Sequence, residues 1–514
     1  MEFKARLLEI EAGGNLIVVM GVRDAERLGI ISSDRVRLET GESEVVAILN
    51  IASEFPEGTL GIYEEVKSRL GLSEGDVVQV KPAERPESLG FIREKILGEK
   101  LTARKIGTIV DEVVERHLSD IELASFVTAL QIHGMSMEEV EALSLAMVKA
   151  GKTITFGKEP ILDKHSIGGV PGDKTTLLVV PIVAAAGYTI PKSSSRAITS
   201  PAGTADRMEA LCPVDLRLDE IVEVVEKVNA CIVWGGALDL APADDLFIRV
   251  EYPLAIDPLL LPSILSKKKA MGSTHIVIDI PTGREVKIKT LDQAHLLARD
   301  FIELGSRLGM HIECAITEGE QPIGCAVGPV LEAKEALEAL MGRGPPDLIE
   351  KATSLAGILF EMVGEENGKA KAQKLLSSGK AEEKLRQIIE AQGGDPKVKP
   401  EDLAVGDKWV DIKAERGGRV LWIKNMDIAQ IARTAGAPSD KGAGLMLMVK
   451  MGDEVAEGDT LFRVYAETAQ RRDNAEAIAE KLDPIVIGRR IGERMLIKQV
   501  KGVARRGTEF ILER

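Results

Sequence analysis

Asp163-Lys164-His165-Ser166-Ile167-Gly168-Gly169-Val170-Pro171-Gly172-Asp173-Lys174-Thr175-Thr176 is a glycine-rich turn that runs into a long apolar segment. Its three glycines let backbone amides approach a ligand with no Cβ in the way. The two threonines fall where the following segment, if helical, begins. Lys164, Ser166 and Thr176 add an ammonium and hydroxyls, a set suited to a doubly charged oxyanion such as phosphate. A plain strand-to-helix connection uses the same glycines, so the rest of the chain has to decide between the two.

Working outward, a second polar loop follows the strand-like Tyr188-Thr189-Ile190-Pro191-Lys192: Ser193-Ser194-Ser195-Arg196-Ala197-Ile198-Thr199-Ser200-Pro201-Ala202-Gly203-Thr204-Ala205-Asp206. Hydroxyls, an arginine and a glycine just before a helical stretch predict a second helix start facing a ligand. Two such loops predict a crevice at the carboxyl edge of a sheet. A third element comes later. Arg249 precedes Asp257-Pro258, and Ser263 and Lys267 stand four apart, which on one helix puts a hydroxyl and an ammonium on one face.

The bulk numbers narrow the class. At 514 residues several domains are expected. A net charge of -15 argues against nucleic acid as a partner, yet leaves room for a local cationic pocket and a small anion. Cys212, Cys231, Cys314 and Cys325 are dispersed without metal-ligand spacing, so no metal is expected. Met1-Glu2-Phe3-Lys4 lacks signal-peptide form, and the apolar run from 177 to 187 is too short to span a bilayer. The expectation is a cytoplasmic protein with no membrane partner.

The predicted fold class is α/β multidomain. A helical lobe is hinged to a larger α/β lobe, with an N-terminal β-barrel-like domain and a C-terminal α+β lobe. Residues 1–84 are β-rich and carry a repeat: Arg27-Leu28-Gly29 with Ser33-Asp34 is echoed by Arg69-Leu70-Gly71 with Glu74-Gly75-Asp76. Two such halves are similar to double-psi or cradle-loop barrels and suggest an assembly module. Pro82 and Pro86 mark a linker. Residues 86–150 plus 238–270 read as helical, with Ser119 and Ser136 as caps. Residues 152–237 plus 271–410 form the central phosphate-binding lobe, and 411–514 the last one.

In order and spacing, Asp163-Lys164-His165-Ser166 with Gly168-Gly169, the loop 194–204, and Arg249 with Ser263 and Lys267 resemble the thymidine and pyrimidine-nucleoside phosphorylase family over about residues 86 to 500. Pro171, the run 194–200 and the extra N-terminal domain are similar to its archaeal branch, the nucleoside 5′-monophosphate phosphorylases. The resemblance implies that AMP, and in relatives CMP or UMP, is split by phosphate into free base and ribose 1,5-bisphosphate in nucleotide salvage. Phosphate is then a co-substrate, and no cofactor is expected.

By the same resemblance Lys164, Ser166, Thr176, Ser194 and Thr204 hold phosphate. The nucleotide meets Gly168, Ser195, Arg196, Ala197, Ile198, Thr199, Ser200, Thr204, Ser263 and Lys287, with Arg249 and Lys267 completing the substrate set. Asp257 is the proton donor to the leaving base, kept protonated by burial, with His165 as the rival. Five residues separate Asp257 from Ser263, fewer than in the family pattern. A homodimer or larger homo-oligomer through the helical lobe is implied. Three alternatives remain: phosphorolysis of an unphosphorylated thymidine or pyrimidine nucleoside, phosphoribosyl transfer, and a non-enzymatic assembly or adaptor role for the barrel.

Overall fold

Alternating apolar and polar residues build the first unit. In a computed structural model, which describes residues 1–41, 43–197 and 200–488, it is a closed barrel. Its elements are β1 (Glu2–Leu7), β2 (Ile17–Gly21), α1 (Val22–Leu28), β3 (Arg35–Thr40), β4 (Ser43–Ala52), β5 (Thr59–Ile62), α2 (Glu64–Leu70) and β6 (Val77–Pro82). The strands run in the order β1-β5-β2-β4-β3-β6, with β1–β5 and β2–β4 parallel. The sequence repeat is structural. Both helices end on a left-handed glycine, Gly29 at φ 66° and Gly71 at φ 64°. In each copy the following Asp accepts an amide three residues back, Asp34 from Ile31 and Asp76 from Ser73.

The helical bundle comprises α3 (Ser88–Ile96), α4 (Ala103–Val114), α5 (Asp120–His133) and α6 (Met137–Ala150). The expected caps are present: Ser119 with Glu122 and Ser136 with Glu139 form capping boxes. Glu139 also takes the buried Lys95 ammonium at 2.8 Å and the Leu101 amide at 2.9 Å, so one carboxylate ties α3 to α6.

The central α/β unit runs through β7 (Leu162–Ser166), α7 (Thr176–Ala185), β8 (Ile190–Ser194), α8 (Thr204–Glu209), α9 (Leu218–Val228), β9 (Ala230–Trp234), α10 (Pro242–Leu254), α11 (Leu260–Ala270), β10 (His275–Thr282), α12 (Leu291–Arg307), β11 (His311–Glu318), β12 (Ala326–Val327), α13 (Pro329–Leu340), α14 (Pro346–Met362), α15 (Gly368–Ser377) and α16 (Lys380–Ala391). Parallel ladders run β11-β10-β7 and β8-β9, and a parallel bridge between Ile161 and Thr189 sets β8 beside β7. α7 is apolar on every face because it is buried on every face. The stretch 238–270 serves two cores. α10 packs into the bundle, its Phe247 ring 6.1 Å from that of Phe126, whereas Ile264 and Leu265 of α11 join Ile278 and Phe301.

The last unit holds β13 (Lys408–Lys413), β14 (Gly418–Ile423), α17 (Asn425–Thr434), β15 (Gly444–Leu447), β16 (Glu454–Val455), β17 (Thr460–Ala466), α18 (Ala469–Leu482) and β18 (Ile485–Gly488). Its sheet β12-β15-β17-β13 borrows one strand from the central unit. Positions 489–514 of the predicted last lobe lie outside the described residues. Among the described residues no helix is long and apolar enough to cross a membrane.

Candidate active site

The chain leaves β7 and builds β8 and β9 on one side of it, then returns to add β10 and β11 on the other. This reversal of strand order opens a crevice at the carboxyl end of β7, the place where α/β sheets bind ligands. The glycine-rich turn leaves β7 at that point, and the second polar loop leaves the adjacent, parallel end of β8.

Buried charge fills the floor. Lys164 Nζ sits 2.9 Å from Thr175 Oγ1 and 3.8 Å from both Asp173 and Asp279. Asp279, opposite Ser166 in the sheet register, also takes Lys351 at 2.8 Å and the Thr317 hydroxyl at 2.6 Å. Asp163 takes Lys268 at 2.8 Å and Lys192 at 3.6 Å. The four lysines are at most 6 % exposed and face three carboxylates, which leaves a cationic excess for an anion to neutralise. Burial is the main cause holding the Lys192 amine well below the ordinary lysine range, with Asp163 opposing it and Lys268 adding to it. Burial alone would raise Asp173, but Lys164, then Lys351 and the Thr175 hydroxyl, hold it well below the usual carboxylate range.

The turn's glycines have distinct jobs. Gly168 and Gly169 adopt φ of 83° and 98°, and a Cβ on Gly169 would lie 3.2 Å from the Lys287 amide nitrogen. Gly172, at φ 76°, leaves no space: a Cβ there would sit 2.6 Å from Ile323 O and 2.9 Å from Ala326 O. Lys174 gathers those same two carbonyls and Glu335 under the turn. Gly172→Ala is expected to cost about 2–3 kcal/mol in denaturant unfolding, from left-handed strain plus displacement of this backbone.

The sequence-predicted residues separate into groups. His165 is half-buried beside the lysines; burial first, then Lys268, Lys192, Lys164 and Lys287, push its pKa well below the ordinary value, so the imidazole is neutral at pH 7. Ser166 Oγ accepts the Gly168 amide at 3.4 Å, and Thr176 is buried at the start of α7. Thr204 starts α8 and accepts from Arg207 at 3.4 Å. Ser194 ends β8 half-buried, while Ser195 and Ser200 are exposed beyond it. Ile198 and Thr199 lie outside the described residues.

Ser263 and Lys267 do share one face of α11, and both meet Asp244, at 2.8 and 2.7 Å. Burial works against the Lys267 charge, but Asp244 and Asp245 outweigh it and its pKa is raised.

Four of these positions make contacts that the sequence alone did not foresee. Arg196 clamps Glu209 at 2.7 and 2.6 Å and stacks on Trp234 at 4.9 Å. At the start of α8, Asp206 accepts the Gly203 and Ala197 amides. Arg249 turns to the barrel and donates to Gly13 O at 2.5 Å. Asp257 is exposed and ion-paired with Lys287 at 2.9 Å, so the burial expected to keep a proton on it is absent from this structure. The pair nevertheless brings Asp257, Lys287 and the Gly168-Gly169 turn together.

Sequence reasoning missed Glu251. Only 6 % exposed, it accepts the Leu259 amide at 3.2 Å and so pins the turn that carries Asp257. Burial, with Asp257 adding to it, raises its pKa to about 7 from an ordinary 4.5. Between about pH 4.5 and 7 the unfolded chain has shed this proton while the native chain keeps it, so stability falls as pH rises through that window. Glu251→Gln is expected to raise the melting temperature by roughly a few degrees at pH 8 and to leave it nearly unchanged at pH 4.5, as read by scanning calorimetry.

Comparison with known proteins agrees with this layout. Residues 90–151 match the glycosyl transferase family, helical bundle domain, residues 158–382 its a/b domain, and residues 420–485 the pyrimidine nucleoside phosphorylase C-terminal domain. The chain is 50% identical over 514 residues to the AMP phosphorylase of Thermofilum pendens, covering 100% of both. It is 52% identical to that of Pyrococcus furiosus, over 95% of this chain and 98% of the relative. Against that of Methanosarcina barkeri it is 48% identical, over 98% and 99%. Among solved structures, anthranilate phosphoribosyltransferase from Thermus thermophilus aligns with a TM-score of 0.50 at 21% identity, over 59% of this chain and 98% of that one, a likeness of fold alone.

Proposed function

The chain belongs to the AMP phosphorylase family, and from that premise we propose how its cleft divides the work of splitting AMP with inorganic phosphate. The enzyme is a pentosyltransferase whose products are adenine and ribose 1,5-bisphosphate. A phosphate oxygen attacks C1′ of the ribose, the C1′–N9 pair leaves with the purine, and a proton delivered to the base keeps negative charge from building there.

Inorganic phosphate binds over the β7 end, on Lys164, Ser166, Thr176, Ser194 and Thr204. The carrying observation is the excess of buried ammoniums at the strand-order reversal, directly under a turn whose glycines expose backbone amides. A dianion there supplies the charge that Asp173 and Asp279 only partly match, and it stabilises the cationic ribose of the transition state. The nucleotide lies across Gly168, the loop from Ser195 to Ser200, Ser263 and Lys287.

Asp257 acts as proton donor once a nucleotide draws Lys287 away and closure of the cleft buries it. Glu251 is its positioning residue, and His165, held neutral, offers an uncharged hydrogen bond to the base. Closure joins contacts from the bundle side and the sheet side, so scattering profiles with and without AMP plus phosphate should differ.

Homo-oligomerisation through the bundle is supported by large apolar side chains left exposed on it, Ile121 at 79% and Ile132 at 70%. The deciding experiment incubates the protein with phosphate and a panel of nucleoside monophosphates and nucleosides and measures released base. Adenine from AMP, with little base from adenosine or thymidine, is the expected result. Equal release from nucleosides overturns the 5′-phosphate reading.

A further inference from the structure

Between the barrel and the bundle lies a cavity of about 320 Å³ with no part in the chemistry above. Leu246 and Leu254 of α10 give it apolar wall; Asn15, Arg116, Asp120 and Arg249 give it polar wall. Two guanidiniums flank Gly14: a Cβ on that glycine would lie 3.3 Å from Arg116 Nη2 and 3.5 Å from Arg249 Nη1. Arg249 donates to Gly13 O, whereas among the described residues no hydrogen bond or ion pair holds the Arg116 guanidinium.

Arg116 also sits at φ 65°, a left-handed conformation that costs a non-glycine residue free energy and persists where the surroundings impose it. Its pKa is lowered by burial, by Arg249 and by Arg69, against Asp120 alone. The acids nearby are otherwise occupied. Glu65 accepts the Ala12 and Gly14 amides, and Asp120 accepts from Asn15 at 3.2 Å. Two guanidiniums brought together in a strained, half-buried pocket, with Asp120 the one carboxylate among its lining residues, leave a cationic excess suited to an anion. Paired arginine forks match phosphoryl oxygens.

We propose that this seam is a second binding site, for a small molecule bearing a phosphoryl group. The assignment is independent of the roles proposed for the β7 cleft. Because α10 carries both Arg249 and Glu251, occupation would brace the barrel against the helix that leads to Asp257.

Isothermal titration of the full chain with inorganic phosphate alone tests it. The expected result is two sites per chain. Arg116→Gln should weaken one at least tenfold and keep the other, and Lys164→Ala should do the reverse. Competition by AMP, but not adenosine, for the site left in Lys164→Ala would identify a phosphate ester as the better ligand; phosphate bound there without competition would identify the free ion. Either result supports the site. If Arg116→Gln unfolds, Arg249→Gln on the wall of the same cavity should weaken the same site. One phosphate per chain up to millimolar concentration, or two unaltered sites in a folded Arg116→Gln, overturns the proposal.

Discussion

Asp257→Asn is expected to lower kcat for AMP phosphorolysis by about 10²–10⁴-fold, the range lost with a general acid, while KM for phosphate changes little. Asparagine keeps the shape and can still face Lys287, so the fold and the turn held by Glu251 should persist. His165→Ala is the companion measurement. A neutral imidazole surrounded by lysines cannot supply the proton as an imidazolium at pH 7, so its loss should reduce kcat/KM without moving the acid limb of the pH profile. Near-normal turnover by a folded Asp257→Asn protein would sink the assignment. A limb that moves in Glu251→Gln would then make Glu251 the proton source, since its carboxyl already titrates near 7.

The loops were legible because their meaning is local. Glycines that need positive φ, hydroxyls before helix starts and apolar runs between them declare a strand-loop-helix wherever they occur, and Gly168, Gly169 and Gly172 behave accordingly. Ser119 and Ser136 were legible for the same reason, as was the four-residue spacing that sets Ser263 and Lys267 together on Asp244. Partnership over long separations was not. Arg249 looked like a substrate contact, yet it finds a carbonyl 236 residues away in the barrel. Arg196 is tied down by Glu209 and Trp234, which only the tertiary fold brings near. Burial is likewise a property of the whole fold. It falls on Glu251, which nothing in the chain distinguished, and spares Asp257, which the family resemblance singled out.

Asp163→Asn is expected to cost about 3–5 kcal/mol of stability, because it removes a carboxylate and leaves its cations behind. Asp163 is fully buried and joins three elements: Lys192 on β8, Lys268 on α11 and, through its own strand, the start of the phosphate turn. Neither lysine can reach bulk water, and asparagine supplies hydrogen bonds but no charge. A packing defect would be insensitive to pH, and this loss is not. Without Asp163 the native state favours neutral amines, while the unfolded chain keeps its lysines protonated up to their ordinary values. The unfolded state then binds more protons, and stability climbs with pH. Denaturant unfolding at pH 7 and pH 9.5 should therefore show the gap between variant and parent narrowing at the higher pH. A gap of equal size at both would mean that Asp163 contributes shape alone, and that the cationic floor under the phosphate turn does not depend on it.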